Sequence, residues 1–279
     1  MKRSDYRAAL EQYQFKDSKP NRERIDDTVE AWNLAVLGMD HLWRELSHLY
    51  AADLNNRSHL ADMAAQHLLD GFSLELMDGD AAMVNMKWIQ GVLNALDAKL
   101  PNAKVQILSV MGVQSSGKST LLNYMFGVRL RTSVSRCTRG VSMQLLKCED
   151  RDKYDYIILM DTEGVRAPEY VGRDDSVWRD NRMATLAVLP ADATIVLTKG
   201  ESTDTINEIL PIVLSVHLDS ELAYQHGGRL PSKLFFTFNQ IDLAERSKME
   251  NIVHMLVRQL NTNAGIVEET RRRALSGIS

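Results

Sequence analysis

The sequence predicts an α/β fold, a mostly parallel sheet with helices on both faces, preceded by a helical region. Three observations predict it. Up to Leu100, apolar residues recur at three- and four-residue spacing. After Leu100-Pro101-Asn102, short apolar runs alternate with helical segments. Those runs are continuous, as expected for strands buried on both sides, and lack the polar alternation of a sheet with one wet face. The 279 residues suffice for one large domain, or a domain with a helical annex. The change of character divides the chain into an N-terminal helical region, 1–100, and a second domain, 101–279.

The elements follow in order. Ile25 to Leu49 carries Val29, Trp32, Val36, Met39, Leu42 and Leu46 along one helical stripe. His59 to Leu69 predicts a second helix and Asp80 to Leu100 a third, separated by Gly71 and the Asp78-Gly79-Asp80 turn. Asp26 and Asp80 stand near helix starts as capping residues. Beyond Pro101, Val105 to Val110 reads as a buried strand and Ser119 to Phe126 as a helix. Val141 to Leu146 and Tyr156 to Met160 are strands, Ala184 to Leu189 is helical, and Thr194 to Thr198 is a strand. Thr203 to Val216 is a helix, Leu234 to Phe238 a strand, and Ile252 to Leu260 lies in a helix. There is no internal repeat and no low-complexity segment.

Bulk properties exclude several classes. The net charge of -4 gives no global basic field for nucleic acid or an anionic membrane. No apolar run is long enough to span a bilayer. The start, Met1-Lys2-Arg3-Ser4-Asp5, leads into a charged stretch, so no secretory signal or lipidation box is expected. Cys137 and Cys148 are too few for a disulfide framework or a metal cluster and read as free thiols in a reducing cytoplasm.

Gly112-Val113-Gln114-Ser115-Ser116-Gly117-Lys118-Ser119-Thr120 matches G-x-x-x-x-G-K-[ST], with a strand before it and an apolar helix after it. Such a loop wraps a polyphosphate. Gly112 and Gly117 keep side chains away, and successive backbone N–H groups with the helix N-terminus face the anion. Lys118 supplies a point charge to the β- and γ-phosphates, and Ser119 a hydroxyl to Mg²⁺. Residues 112–120 therefore predict a P-loop NTPase domain and contact the nucleotide.

Three downstream matches refine this. Asp161-Thr162-Glu163-Gly164 ends a predicted strand; Asp161 is placed to hold Mg²⁺ and the Gly164 N–H to sense the γ-phosphate. Thr138, in Arg136-Cys137-Thr138-Arg139-Gly140, is placed to close over Mg²⁺ and the γ-phosphate as a switch. Asn239-Gln240-Ile241-Asp242 resembles the guanine element N-K-x-D, with Gln240 in place of lysine. An aspartate there accepts hydrogen bonds from the guanine ring N–H and exocyclic amine, which adenine does not offer. The structural alternative for Asn239 is a helix cap. The expected ligand is Mg²⁺-GTP, with GDP as product, and the expected metal donors are Ser119, Thr138 and Asp161.

Residues 113–123, Arg136-Cys137-Thr138-Arg139-Gly140 and Asp161-Thr162-Glu163-Gly164 together resemble the interferon-inducible very large GTPases, a family among the dynamin-like large GTPases. The resemblance extends to Leu74-Glu75-Leu76-Met77-Asp78-Gly79-Asp80, to Trp88-Ile89 and to the stretch from Gly200 to Leu218. It implies a cytosolic G domain that dimerises through that domain. Members of the family are far longer, so this chain is expected to be the G-domain portion or a short relative. After Asp242 only a helical tail follows, without a last strand carrying a further base contact.

The resemblance also bears on hydrolysis. Small GTPases place glutamine after D-x-x-G; here Val165 stands there and cannot orient water. The similar Gln-Ser pair of dynamin-like P-loops makes Gln114 and Ser115 the catalytic candidates, with Thr138 and Gly164 at the γ-phosphate. Hydrolysis would then be positioning and charge stabilisation. The P-loop arginine of guanylate-binding relatives is replaced by Ser115. Arg136, Arg139 or a monovalent cation could meet the transition-state charge, or the two arginines belong to a solvated loop. The rivals to a GTP hydrolase with nucleotide-controlled assembly are a GTP-binding scaffold with negligible turnover and an ATPase. His217, His226 and His254 lack metal spacing, Arg271-Arg272-Arg273 reads as a solvated helix face, and Trp32, Trp43 and Trp88 as helix packing.

Overall fold

The computed structural model describes residues 39–79, 81–128, 130, 138, 140–149, 153–165, 176–200, 211, 233–241, 250–262, 265 and 269. By contacts the chain divides into two units, Met1–Leu49 and Tyr50–Ser279. Helix α1 (Met39–Ala52) runs across that division, and every site residue described below belongs to the second unit.

Between α1 and the central sheet strands come two further helices and one strand. Helix α2 (Ser58–Leu69) buries Leu60, Ala61, Ala64, Ala65 and Leu68, a stripe whose alanines permit close approach. It packs on α3 (Met86–Lys99), which buries Trp88, Val92 and Leu96 at four-residue steps. Helix α3 begins later than the expected Asp80 start. The Asn85 side chain accepts the Trp88 N–H at 3.2 Å, and this cap fixes the first turn. The Trp88 ring then meets Tyr50 edge to face at 5.4 Å. Between the helices, β1 (Ser73–Met77) is a strand, where the sequence suggested only a connection.

The sheet has six strands in the order β1-β3-β4-β2-β5-β6, the others being β2 (Val105–Gly112), β3 (Val141–Lys147), β4 (Tyr156–Thr162), β5 (Ala193–Lys199) and β6 (Lys233–Asn239). Strands β4, β2, β5 and β6 run parallel to one another, while β3 pairs antiparallel with both β4 and β1. The mostly parallel α/β sheet expected from continuous apolar runs is therefore present, with an antiparallel extension. Strand β5 is buried from Ala193 to Thr198, whereas β3 alternates buried and half-buried residues.

Helix α4 (Lys118–Phe126) packs on β2, placing Leu122 against Val110, Leu159 and Ile195. Helix α5 (Ser176–Val188) packs against β2, β3, β4 and β5 through a stripe that includes Met183, Ala184, Ala187 and Val188. It starts well before the expected Ala184, because its first turns bury Arg179 and Asp180 and so hide the apolar period. Residues 250–262 are helical. The expected helix over 203–216, apart from helical Pro211, and residues Asp26, Asp80, Arg136, Cys137, Arg139, His217, His226, Asp242 and Arg271–Arg273 lie outside the described residues. Among the described residues no helix is long and apolar enough to cross a membrane.

Candidate nucleotide site

Strand β2 is central, between β4 and β5, and its C-terminal end delivers the chain into the P-loop. In parallel sheets this end, where neighbouring connections diverge, is where ligands gather. Ser115 and Gly117 both adopt the left-handed backbone region, at φ 59 and 93, which curls the loop back on itself. The Ser116 N–H closes a turn on the Val113 carbonyl at 3.3 Å. Gly117 is followed directly by α4, so the loop feeds a helix N-terminus.

Lys118 is buried, and its Nζ donates to the carbonyls of Gly112 at 3.3 Å and Val113 at 3.0 Å. The ammonium is thus held inside the loop, where an incoming phosphate can compete for it.

Strand β4 ends in Asp161 and Thr162. Their neighbours bind the P-loop tightly: the Val165 N–H donates to Gly112 O at 3.1 Å, and Val113 and Val165 form a parallel bridge. Gly164 lies so close to Gln114 that a Cβ on it would collide with the Gln114 backbone nitrogen and Cα. Gln114 and the D-x-x-G glycine are therefore neighbours. The Val165 side chain is buried.

Three predicted metal donors converge. Asp161 Oδ2 accepts from Ser119 Oγ at 2.9 Å and from Thr138 Oγ1 at 2.6 Å, and the two hydroxyls are 3.3 Å apart. Asp161 Oδ1 is buried with no hydrogen-bond partner. Burial pushes the Asp161 carboxyl above its ordinary value, against the lowering effects of Thr138, Lys118 and Ser119. A buried, underserved carboxylate oxygen beside two hydroxyls is a hard-oxygen set that suits Mg²⁺, which favours oxygen donors and takes the rest from phosphate and water. Among the described residues there is no cluster of three His, Cys, Asp or Glu side chains.

Strand β6 also reaches the loop. Asn239, at the end of β6, donates from Nδ2 to Ser116 O at 2.9 Å, and its Oδ1 accepts the Gln240 N–H at 2.9 Å. A Cβ on Gly117 would sit 2.6 Å from that Nδ2, so a side chain there would displace the asparagine amide as well as strain the left-handed backbone. Asn239 acts as a brace between β6 and the P-loop, a role the helix-cap reading did not contain.

Sequence reasoning missed a buried assembly at the other side of Asp161. Glu163 Oε2 accepts from Arg179 at 2.8 Å and from the Gly140 N–H at 2.9 Å. The Glu163 N–H in turn donates to Gly140 O at 2.7 Å. Arg179 also donates to the Gly79 carbonyl, beyond β1. The ion-paired side chains are each 3% exposed. The signal that could have found them is an arginine early in a helix whose other turns are apolar. Asn123 is a second missed brace: its amide clasps the backbone of Leu130 through bonds of 2.9 and 2.8 Å.

The comparisons accord with this geometry. Interferon-induced very large GTPase 1 of Mus musculus is 36% identical over 209 residues, which is 70% of this chain and 8% of that protein. Its Homo sapiens counterpart is 37% identical over 194 residues, 66% of this chain and 8% of its own length. Up-regulator of cell proliferation of Bos taurus is 30% identical over 225 residues, 75% of this chain and 23% of its own. The chain thus spans under a quarter of the length of these relatives. The URGCP-like GTPase domain matches residues 2–274, and the chain belongs to that family.

Proposed function

We propose that this chain binds Mg²⁺-GTP and hydrolyses it to GDP and phosphate. The observation that carries the reading is the meeting of Ser119, Thr138 and Asp161 at the mouth of a P-loop. Residues 112–120 cradle the triphosphate, with Lys118 turning from its loop carbonyls to the phosphate oxygens. Asn239 and Asp242 select guanine. The metal, held by Ser119, Thr138 and Asp161, neutralises charge on the phosphates.

Water positioning falls to Gln114 and Ser115. Support comes from Val165, whose apolar side chain is buried and whose N–H is committed to Gly112, and from the contact between Gly164 and Gln114. Gln114→Ala is expected to keep GTP affinity within about threefold while lowering turnover by about a hundredfold or more, the scale of lost positioning. Unchanged phosphate release from that variant would remove Gln114 from the mechanism.

Nucleotide-controlled pairing of two such domains, in the cytoplasm, belongs to the same proposal and rests on the family relationship. Phosphate release measured against protein concentration tests it: turnover per molecule should rise with concentration. The second reading, a GTP-binding scaffold with negligible hydrolysis, is favoured by the buried Val165. Absence of phosphate release at every concentration would select the scaffold. Equal displacement of a fluorescent GTP analogue by ATP and GTP would defeat the guanine assignment.

A further inference from the structure

We infer that Arg179 is a positioning residue for the triphosphate state, acting through Glu163 to set where Thr138 stands over Asp161. The inference deepens the Mg²⁺-GTP reading and rests on it. Two chain segments are joined at both ends. Thr138 meets Asp161 through the hydroxyl–carboxylate bond of 2.6 Å. Two residues further along each segment, Gly140 and Glu163 exchange a reciprocal pair of bonds, 2.9 Å from backbone to side chain and 2.7 Å from backbone to backbone. Immediately beyond, β3 and β4 continue the pairing at Val141 and Thr162. The position of Thr138 is thus tied to Glu163 through a two-residue lever.

Glu163 itself is aimed by Arg179. The guanidinium meets Oε2, the same oxygen that accepts the Gly140 N–H, and it also donates to Gly79. One guanidinium nitrogen on α5, Nη2, therefore joins Glu163 of the D-x-x-G segment to the turn after β1, and Glu163 in turn holds Gly140 at the end of the Thr138 segment. Stability gives no sufficient reason for the pair. A buried ion pair is often no more stabilising than apolar side chains of equal volume, and what it adds is direction. Lysine offers a point charge in place of a planar fork, so Arg179→Lys keeps the charge and loses the geometry. Asp161 and Ser119 are held by β4 and α4, whereas Thr138 has the lever. A switch threonine engages the metal with the γ-phosphate present and relaxes after hydrolysis, so the lever should bear on triphosphate more than on diphosphate.

The experiment is a double-mutant cycle read by calorimetric binding of GTPγS and of GDP, each with Mg²⁺, to the full 279-residue chain. Arg179→Lys should reduce the preference for GTPγS over GDP by about tenfold, a usual size for coupling between sites. GDP affinity should stay within about twofold. In a Thr138→Ala background the same Arg179→Lys change should alter the preference by less than about twofold, because its route of action is gone. Glu163→Gln, which keeps the acceptor oxygen and shape, serves if Arg179→Lys does not fold, and should show the same dependence on Thr138. Parallel losses of GTPγS and GDP affinity would mark a merely structural role and overturn the inference. So would an equal loss of preference in both backgrounds. A wild-type chain that binds neither nucleotide would instead overturn the Mg²⁺-GTP reading, and this inference with it.

Discussion

Gly140 and Gly127 offer a matched test of how tightly the segment after Thr138 is packed. Both have left-handed backbones, with φ 63 and 64. A Cβ on Gly140 would collide with the Met77 carbonyl oxygen and lie 2.8 Å from Gly79 N and 3.0 Å from Gly79 Cα. All are backbone atoms, so no side chain can swing aside. A Cβ on Gly127 meets nothing within 4 Å among the described residues. Alanine at either site carries a left-handed penalty of about 1–2 kcal/mol. Only Gly140→Ala adds overpacking, about 1–3 kcal/mol. Gly140→Ala should therefore cost about 2–5 kcal/mol and Gly127→Ala about 1–2. For a unit of this size each kcal/mol moves Tm by about 2–4 °C, so the two variants should melt roughly 2–12 °C apart. Scanning calorimetry of both variants measures the difference. Melting within about 1 °C of each other would refute the claim that Gly140 is pressed against the turn after β1.

The other predictions concern the site. Asp161 has its carboxyl pushed above the ordinary 3.8 by burial, so between that value and its folded pKa the folded chain holds more protons than the unfolded one. Stability of the metal-free chain should accordingly fall as pH rises through that window. Asp161→Asn should melt higher than wild type in EDTA and lose the rise in Tm that Mg²⁺-GTP gives; an unchanged EDTA melt or a retained rise would contradict this. Saturation of wild type at a hundred times Kd should stabilise it by about 2.7 kcal/mol. Asn239→Ala removes the bond to Ser116 and the acceptor for Gln240, costing about 1–3 kcal/mol and weakening GDP and GTPγS together. A binding loss confined to one nucleotide would speak against the brace.

Five of the six strands, β2 to β6, stood out in the sequence as short apolar runs. β2, β4 and β5 are continuous apolar runs, and their signal needs no knowledge of neighbours. β1 escaped because Ser-Leu-Glu-Leu-Met is too short to separate a strand from a helix end, and its partner β3 lies far along the chain. The start of α5 escaped because inward Arg179 and Asp180 look solvent-facing to a hydrophobic period. At the site, Ser119, Thr138 and Asp161 were legible because motif spacing encodes them. Glu163 occupies a free position of D-x-x-G and Arg179 lies outside any motif, so only the fold brings them together.

The strand that escaped notice also guards the sheet. β1 covers the outer edge of β3, pairing from Ser73–Gln144 to Met77–Val141. A chain begun at residue 101, where composition changes, would keep every nucleotide motif yet leave β3 with a bare row of N–H and C=O groups. Such an edge invites other strands to add themselves. The segment before the P-loop thus pairs an edge that a shorter chain would leave bare, and a fragment meant to keep β3 paired should begin ahead of residue 73.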